Sequence, residues 1–249
     1  MMTSLIAGLV TLVFTTLLTI AGVGAAFILI PVFVALGINI HVAMATALLL
    51  NAIAMIFASI RFVRAKLVLW KVAIPILLVA TALSPLGAWV SQGLDRNVLL
   101  WGFVGFLLFA ALMMLFYKPK EKDTESSRTK QIVFGVSTGA FAGFLGGLLG
   151  VGGGNFIVPV LVWLGINPKK ASATTSFIVI FSSISGFLGH ATLGSMSYSL
   201  LGFTSVGSAI GAVLGAWLMT EKLNRRQVKI LIGIVLIGVA LKVAWGLVF

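Results

Sequence analysis

The chain has no cysteine among its 249 residues. Disulfides, thiolate metal sites and a cysteine nucleophile are therefore excluded. Histidine is almost absent, at two residues, and acids number only five. Those five, Asp95, Glu121, Asp123, Glu125 and Glu221, all fall between the long apolar runs, so no carboxylate sits inside one. Catalysis would need a nucleophile with a base, or a cluster of metal ligands. With His41 and His190 far apart and no acid within the runs, neither can be assembled, so no enzyme, metal or cofactor is expected. Proton and cation pumps usually keep ionisable groups inside the membrane, so their absence also disfavours a cationic substrate. Charge is scarce altogether, at 9% of residues against about 25% in a soluble domain.

What fills the chain is apolar residues, 60% of the total, with a mean hydropathy of +1.20. The apolar blocks run roughly over 4–36, 42–60, 68–91, 97–117, 131–165, 171–189, 197–219 and 227–248. Many approach the ~20 residues a spanning helix needs. They are continuous and lack the alternation of barrel strands. The expected class is an all-α polytopic membrane protein, with about eight hydrophobic spans by hydropathy and the lipid bilayer as its solvent. The net charge of +12 does not call for nucleic acid, because the basic residues lie in the loops, as cytoplasmic loops require. The opening MMTSLIAGLV lacks a positive n-region, so Ser4–Ala21 is expected to be a retained first helix.

The chain repeats itself at an offset of 128 residues. Gly22–Thr46 (GVGAAFILIPVFVALGINIHVAMAT) and Gly150–Thr174 (GVGGGNFIVPVLVWLGINPKKASAT) share 13 of 25 positions without a gap. Leu86–Trp89 and Leu214–Trp217, both LGAW, match at the same offset. This divides the chain into a first transmembrane repeat, 1–117, a charged cytoplasmic linker, 118–130, and a second repeat, 131–249.

Eight spans would give four per half and two copies in the same orientation. The basic residues argue otherwise. Arg61, Arg64, Lys66 and Lys71 follow the second block, whereas the equivalent stretch near His190 has no Lys or Arg. Conversely, the turn at Asp95–Arg96 is nearly neutral, whereas its counterpart carries Lys222, Arg225, Arg226 and Lys229. The bias swaps sides between copies, as inverted repeats would show. Inversion needs an odd number of crossings per half. Splitting block 4–36 at Gly22–Gly24 and block 131–165 at Gly150–Gly154 supplies five segments each. With the N-terminus outside, 15 of the 17 Lys and Arg residues then fall inside. A 5+5 inverted arrangement with broken helices is expected.

The splits are also where chemistry concentrates. Adjacent glycines permit non-helical backbone, which survives at membrane depth only inside protein or against a wet cavity. A short helix starting near Asn155 would aim its free N–H groups and positive end into the interior, an anion-binding geometry. Paired interrupted segments in repeated halves point to a carrier's binding site. In each copy a proline, Pro31 or Pro159, stands seven residues after the second glycine, and Pro159 is expected in the first turn or so of the short helix, where it costs little. The candidate substrate-binding residues are Gly152, Gly153, Gly154, Asn155 and Pro159. Gly22, Gly24 and Pro31 would shape the counterpart. Thr175, Ser176 and Ser182 of the next helix would line the cavity, Thr175 and Ser182 sharing a face at a spacing of seven. Asn39 and Asn167, closing the LGIN string, read as loop or cap residues.

The string GxGGG-N-x-x-x-P at Gly150–Pro159, then LGIN and A-x-A-T-S at Ala171–Ser176, resembles the sulfite exporter TauE/SafE family of membrane transporters. The resemblance covers nearly the whole chain, with the first half a weaker copy. It implies movement of a small anion, such as sulfite, an organosulfonate or a related sulfur or carboxylate compound, across the bacterial cytoplasmic membrane, as an exporter. A passive anion channel fits the sequence equally. A coupling ion, H+ or Na+, the direction of transport and an oligomer are all left open. Alternating access would come from one repeat moving against the other.

Overall fold

In a computed structural model, the described residues are 2–35, 37–38, 40–91, 95–116, 128–149, 154–190 and 198–248. Among them every regular element is helical, the arrangement that satisfies all backbone polar groups within one segment in lipid. The order is α1 (Met2–Ala21), α2 (Ala26–Ala35), α3 (Ile40–Arg64), α4 (Trp70–Ser91), α5 (Arg96–Phe116), α6 (Arg128–Leu149), α7 (Gly154–Trp163), α8 (Pro168–His190), α9 (Tyr198–Trp217) and α10 (Arg225–Val248), with a π-helical turn, Leu218–Lys222, closing α9. The first apolar block is thus two helices. The helix α6 begins at Arg128, inside the stretch expected to be linker. Of the linker, residues 118–127 lie outside the described residues.

Among the described residues, four stretches are long and apolar enough to cross a bilayer: Ala45–Arg64, Asn97–Phe116, Leu201–Lys222 and Arg225–Val248. Shorter apolar stretches occur in α1, α4, α6 and α7. Large apolar side chains such as Trp89, Phe116 and Trp245 cover the outside of the bundle, a surface suited to lipid rather than water. The interior is built largely from small residues; Ala7, Ala43, Ala47, Ala54 and Ala58 are fully buried. Small residues let membrane helices approach closely, where packing replaces the hydrophobic effect.

Two glycine ridges carry the tightest packing. On α9, Gly207, Gly211 and Gly215 lie against Gly8, Leu12 and Thr16 of α1. A Cβ at Gly211 would fall 2.6 Å from the Leu12 carbonyl oxygen. On α6, Gly135, Gly139 and Gly143 lie against Val72–Pro75, Ile76 and Ala80 of α4, and a Cβ at Gly139 would fall 2.8 Å from the Ile76 carbonyl oxygen. In both pairs the residue numbers rise together, so each pair runs parallel. At an offset of 128, α1 corresponds to α6 and α4 to α9. Each half therefore gives its first helix to the other half's fourth.

The equivalent helices α3 and α8 run antiparallel. Asn51, midway along α3, donates from Nδ2 to Ser183 Oγ at 2.7 Å. Beyond the end of α3, the Leu69 N–H donates to Thr174 Oγ1, near the start of α8, at 3.0 Å. The charged turns gather at that same end. Arg61 donates from Nε to Thr220 Oγ1 at 3.0 Å and pairs with Glu221. Lys169 Nζ donates to the carbonyls of Thr220 at 3.0 Å and Leu223 at 3.1 Å, capping the π turn.

Candidate functional site

Both short helices end in the same way, for a reason written in LGIN. Gly37 (φ +82°) and Gly165 (φ +91°) adopt the left-handed conformation that a helix C-terminus uses to close its last turn. Gly37 N–H donates to Val34 O at 2.9 Å and Ile38 N–H to Phe33 O at 3.0 Å. Gly165 and Ile166 repeat the pattern onto Val162 and Leu161, both at 3.0 Å. Asn167 Oδ1 accepts the Lys169 N–H at 2.9 Å, capping α8. Asn39 lies outside the described residues.

The interruption before α2 rests on two glycines with positive φ, Gly22 (+74°) and Gly24 (+84°). Neither has room for a side chain. A Cβ at Gly22 would lie 2.6 Å from Ser172 Cα on α8, and one at Gly24 would lie 2.7 Å from Asn51 Nδ2. Asn51 is 3% exposed, and its Oδ1 accepts the Ala25 N–H at 2.7 Å. That bond satisfies a donor which the bent chain cannot pair within its own helix. Asn51 is thus a cap supplied from a different helix. The second half has Val179 at the equivalent position, with no acceptor to offer.

The first interruption meets the start of α7. Gly154 opens α7, and a Cβ there would lie 2.9 Å from both the Val23 carbonyl oxygen and Val179 Cγ2. Along α8 a stripe of residues three or four apart follows this junction. Ser172 donates to Ile20 O at 2.7 Å, Val179 borders Gly154, and Ser183 reaches Asn51. Thr175 stands between Ser172 and Val179 on that stripe. It is fully buried, and its hydroxyl has no hydrogen-bond partner among the described residues. Ser176 is also buried but donates to Ser172 O at 3.0 Å. Asn155 is 4% exposed in the first turn of α7.

The other expected site residues separate. Ser182 is exposed, and its hydroxyl donates to Val179 O at 3.1 Å. The structure does not bring it together with Thr175; the next residue, Ser183, takes the inward place. Pro159 is not in the first turn. It is the sixth residue of α7, where its ring denies the Asn155 carbonyl an i+4 donor. It faces away from the junction, onto an apolar cavity of about 380 Å³ shared with Phe106, Phe141, Thr138 and Trp163. Phe156, fully buried, packs on Phe103, Phe106 and Phe141 with ring centroids 4.9–6.3 Å apart and anchors α7 against α5 and α6. Gly152 and Gly153 lie outside the described residues, as do the side chains of Pro31, His41 and His190. Among the described residues no three His, Asp or Glu converge as metal ligands.

Asn51 and Ser183 are not among the expected site residues. Their partnership spans 132 positions, and nothing local signals it. The glycines four residues apart on α6 and α9 are a legible signal of close packing.

The pattern of the family described as "Sulfite exporter TauE/SafE" matches residues 6–243. The "Probable membrane transporter protein YunE" of Bacillus subtilis is 25% identical over 93% of each chain. The "Probable membrane transporter protein YdhB" of the same organism is 27% identical over 78% of this chain and 80% of its own. "Sulfite exporter TauE/SafE family protein 2" of Arabidopsis thaliana is 38% identical over 88 residues, 35% of this chain and 17% of its own. With a match running nearly from end to end over a multi-pass helical bundle, the chain belongs to the sulfite exporter TauE/SafE family of membrane transporters.

Proposed function

We propose that this transporter is a secondary carrier exporting a small anion, of the sulfite or organosulfonate class, across a bacterial cytoplasmic membrane. The observation that carries the reading is the meeting of the two interrupted segments at Val23 and Gly154, against a buried stripe of α8. Helix N-termini offer N–H donors and a positive dipole end to an anion. The first-half terminus is already capped by Asn51; the second-half terminus faces Val179 instead. The anion therefore sits on the second-half side, on Gly152–Asn155 N–H groups and the Asn155 amide, with the Thr175 hydroxyl as a further donor. Gly22, Gly24 and Asn51 hold the pseudo-symmetric wall. The family name supports the substrate class, and the absence of any acid from the middle of a span supports the sign of its charge, since Glu221 stands at the end of its stretch and pairs with Arg61.

Ten segments in two inverted sets of five fit this reading. Antiparallel α3 and α8 are what a two-fold axis lying in the membrane plane would produce. The contacts of Arg61 and Lys169 with the π turn put three basic turns at one end, where a straight eight-span count would put the first opposite the other two. The moving units are then the mixed pairs, α1 with α9 and α4 with α6, rather than one intact repeat against the other.

Counterflow in proteoliposomes tests the function. Preloading sulfite, a taurine-like sulfonate, sulfoacetate or a small carboxylate should accelerate labelled-anion uptake saturably. Asn155→Leu should abolish it while thermal unfolding stays within a few degrees of the parent. Flux that never saturates would replace the carrier with a channel, and full activity of Asn155→Leu would remove Asn155 from the site. Single cysteines at Lys170 and Gly194 test the topology. Lys170 should label from inside and Gly194 from outside; labelling from one side would overturn the inversion.

A further inference from the structure

A second groove of about 540 Å³ opens between α3 and the end of α9, and none of the residues at the helix interruptions lines it. Its floor is apolar and faces outward: Phe57, Ile60 and Val213 are each between 44% and 46% exposed. Its rim is basic, formed by Arg61 and Arg64 from the last turn of α3, with Thr220 opposite. Positions 57, 60, 61 and 64 share one helix face, so the change from apolar to cationic happens along a single stripe, in the direction running from lipid tails to headgroups. The one acid present, Glu221, is already shared between Arg61 and the Trp217 indole N–H, the latter at 2.8 Å. Arg64 is exposed and pairs with no acid among the described residues. The groove thus holds two guanidinium groups against one committed carboxylate. An exposed apolar floor under a guanidinium suits an amphiphile better than a soluble anion, and the excess of cationic charge favours a headgroup of net negative charge over a zwitterionic one. We infer that this groove binds the headgroup of an anionic phospholipid, its phosphate on Arg64 and Arg61 and its upper acyl carbons over Phe57, Ile60 and Val213. A basic pocket between transmembrane helices at a membrane surface has the chemistry for this, and an arginine meets a phosphate through parallel N–H bonds. The inference needs only that the chain lies in a bilayer; it does not depend on which anion is carried.

Native mass spectrometry of the full chain, with equal dioleoylphosphatidylglycerol and dioleoylphosphatidylcholine, tests it. One phosphatidylglycerol should be retained at least about fivefold over phosphatidylcholine, the effect of one basic residue at an anionic surface. Arg64→Gln should lower that preference about fivefold and leave thermal unfolding in phosphatidylcholine unchanged. Arg226→Gln, exposed on a different turn, should not lower it. Ile60→Trp, which fills the floor without altering a charge, should reduce retention and guards against a folding defect in the arginine variant. Equal retention of both lipids would overturn the inference. So would an equal loss from Arg226→Gln, which would make the attraction diffuse, or no change in either groove variant. Displacement of the lipid by inorganic phosphate would give the groove to a soluble anion instead.

Discussion

Replacing Asn51 by valine tests the junction most directly, because valine is what the second half carries at the equivalent position. Two hydrogen bonds disappear, from the Ala25 N–H and to the Ser183 hydroxyl, both 2.7 Å long. Their fates differ. Ser183 can turn to the carbonyl of its own helix four residues back, as Ser176 already does. Ala25 is fully buried, and the positive φ at Gly22 and Gly24 swings it away from the preceding turn. Its N–H is stranded, at about 1–3 kcal/mol. Adding about 0.6 kcal/mol for a polar contact between membrane helices gives an expected loss of about 1.6–3.6 kcal/mol. Reversible unfolding in mixed micelles would read it. Ser183→Ala alone should cost about 1–2 kcal/mol, since it strands the Asn51 amide N–H. In the Asn51→Val background it should cost almost nothing, because the partner is already gone. A cycle additive to within about 0.3 kcal/mol would refute the claim that Asn51 ties α8 to the interruption.

Gly22→Ala forces both a left-handed backbone, about 1–2 kcal/mol, and a clash with Ser172, about 1–3 kcal/mol. Gly37→Ala has a similar φ of +82° but nothing within 4 Å, so only the backbone cost remains. Equal thermal destabilisation of the two would remove the argument from packing. Gly211→Leu should part α1 from α9 and abolish the folded monomer on size-exclusion chromatography, whereas Gly238→Leu, with nothing within 4 Å, should elute normally. Glu221→Gln should shift stability by less than about 1 kcal/mol, because the pair with Arg61 is largely exposed; a larger loss in micellar unfolding would mean that the pair is structurally essential.

The position of the first interruption was legible because glycine is a backbone instruction; Gly150–Gly153, where the second is expected, lie outside the described residues. GVG breaks the first apolar block, and LGIN closes a short helix and caps the next. The inward face of α8 was legible only to within one residue. A spacing of seven puts Thr175 and Ser182 within about 20° of each other, but the junction lies on the side of Ser172, Val179 and Ser183, so Thr175 stands at one edge of the inward face and Ser182 falls beyond it. The turn that holds Pro159 was legible only roughly, because it depends on where α7 starts, and a glycine run marks a break better than it marks a first residue. The trans cap by Asn51 had no local signal at all, being a tertiary contact between a loop and two helices.

The exchange of first and fourth helices has a consequence for how the protein is made. The partner of α1 is α9, and Gly8 meets Gly207 about 200 residues later. At roughly 5–20 residues per second of synthesis, α1 waits about 10–40 s for the glycine ridge that completes it. The first half leaves the ribosome with two helix faces uncovered, so it cannot mature as a unit before the second half arrives. Biogenesis is therefore a late, concerted closure, and the two halves expressed as separate chains should be recovered only when both are present.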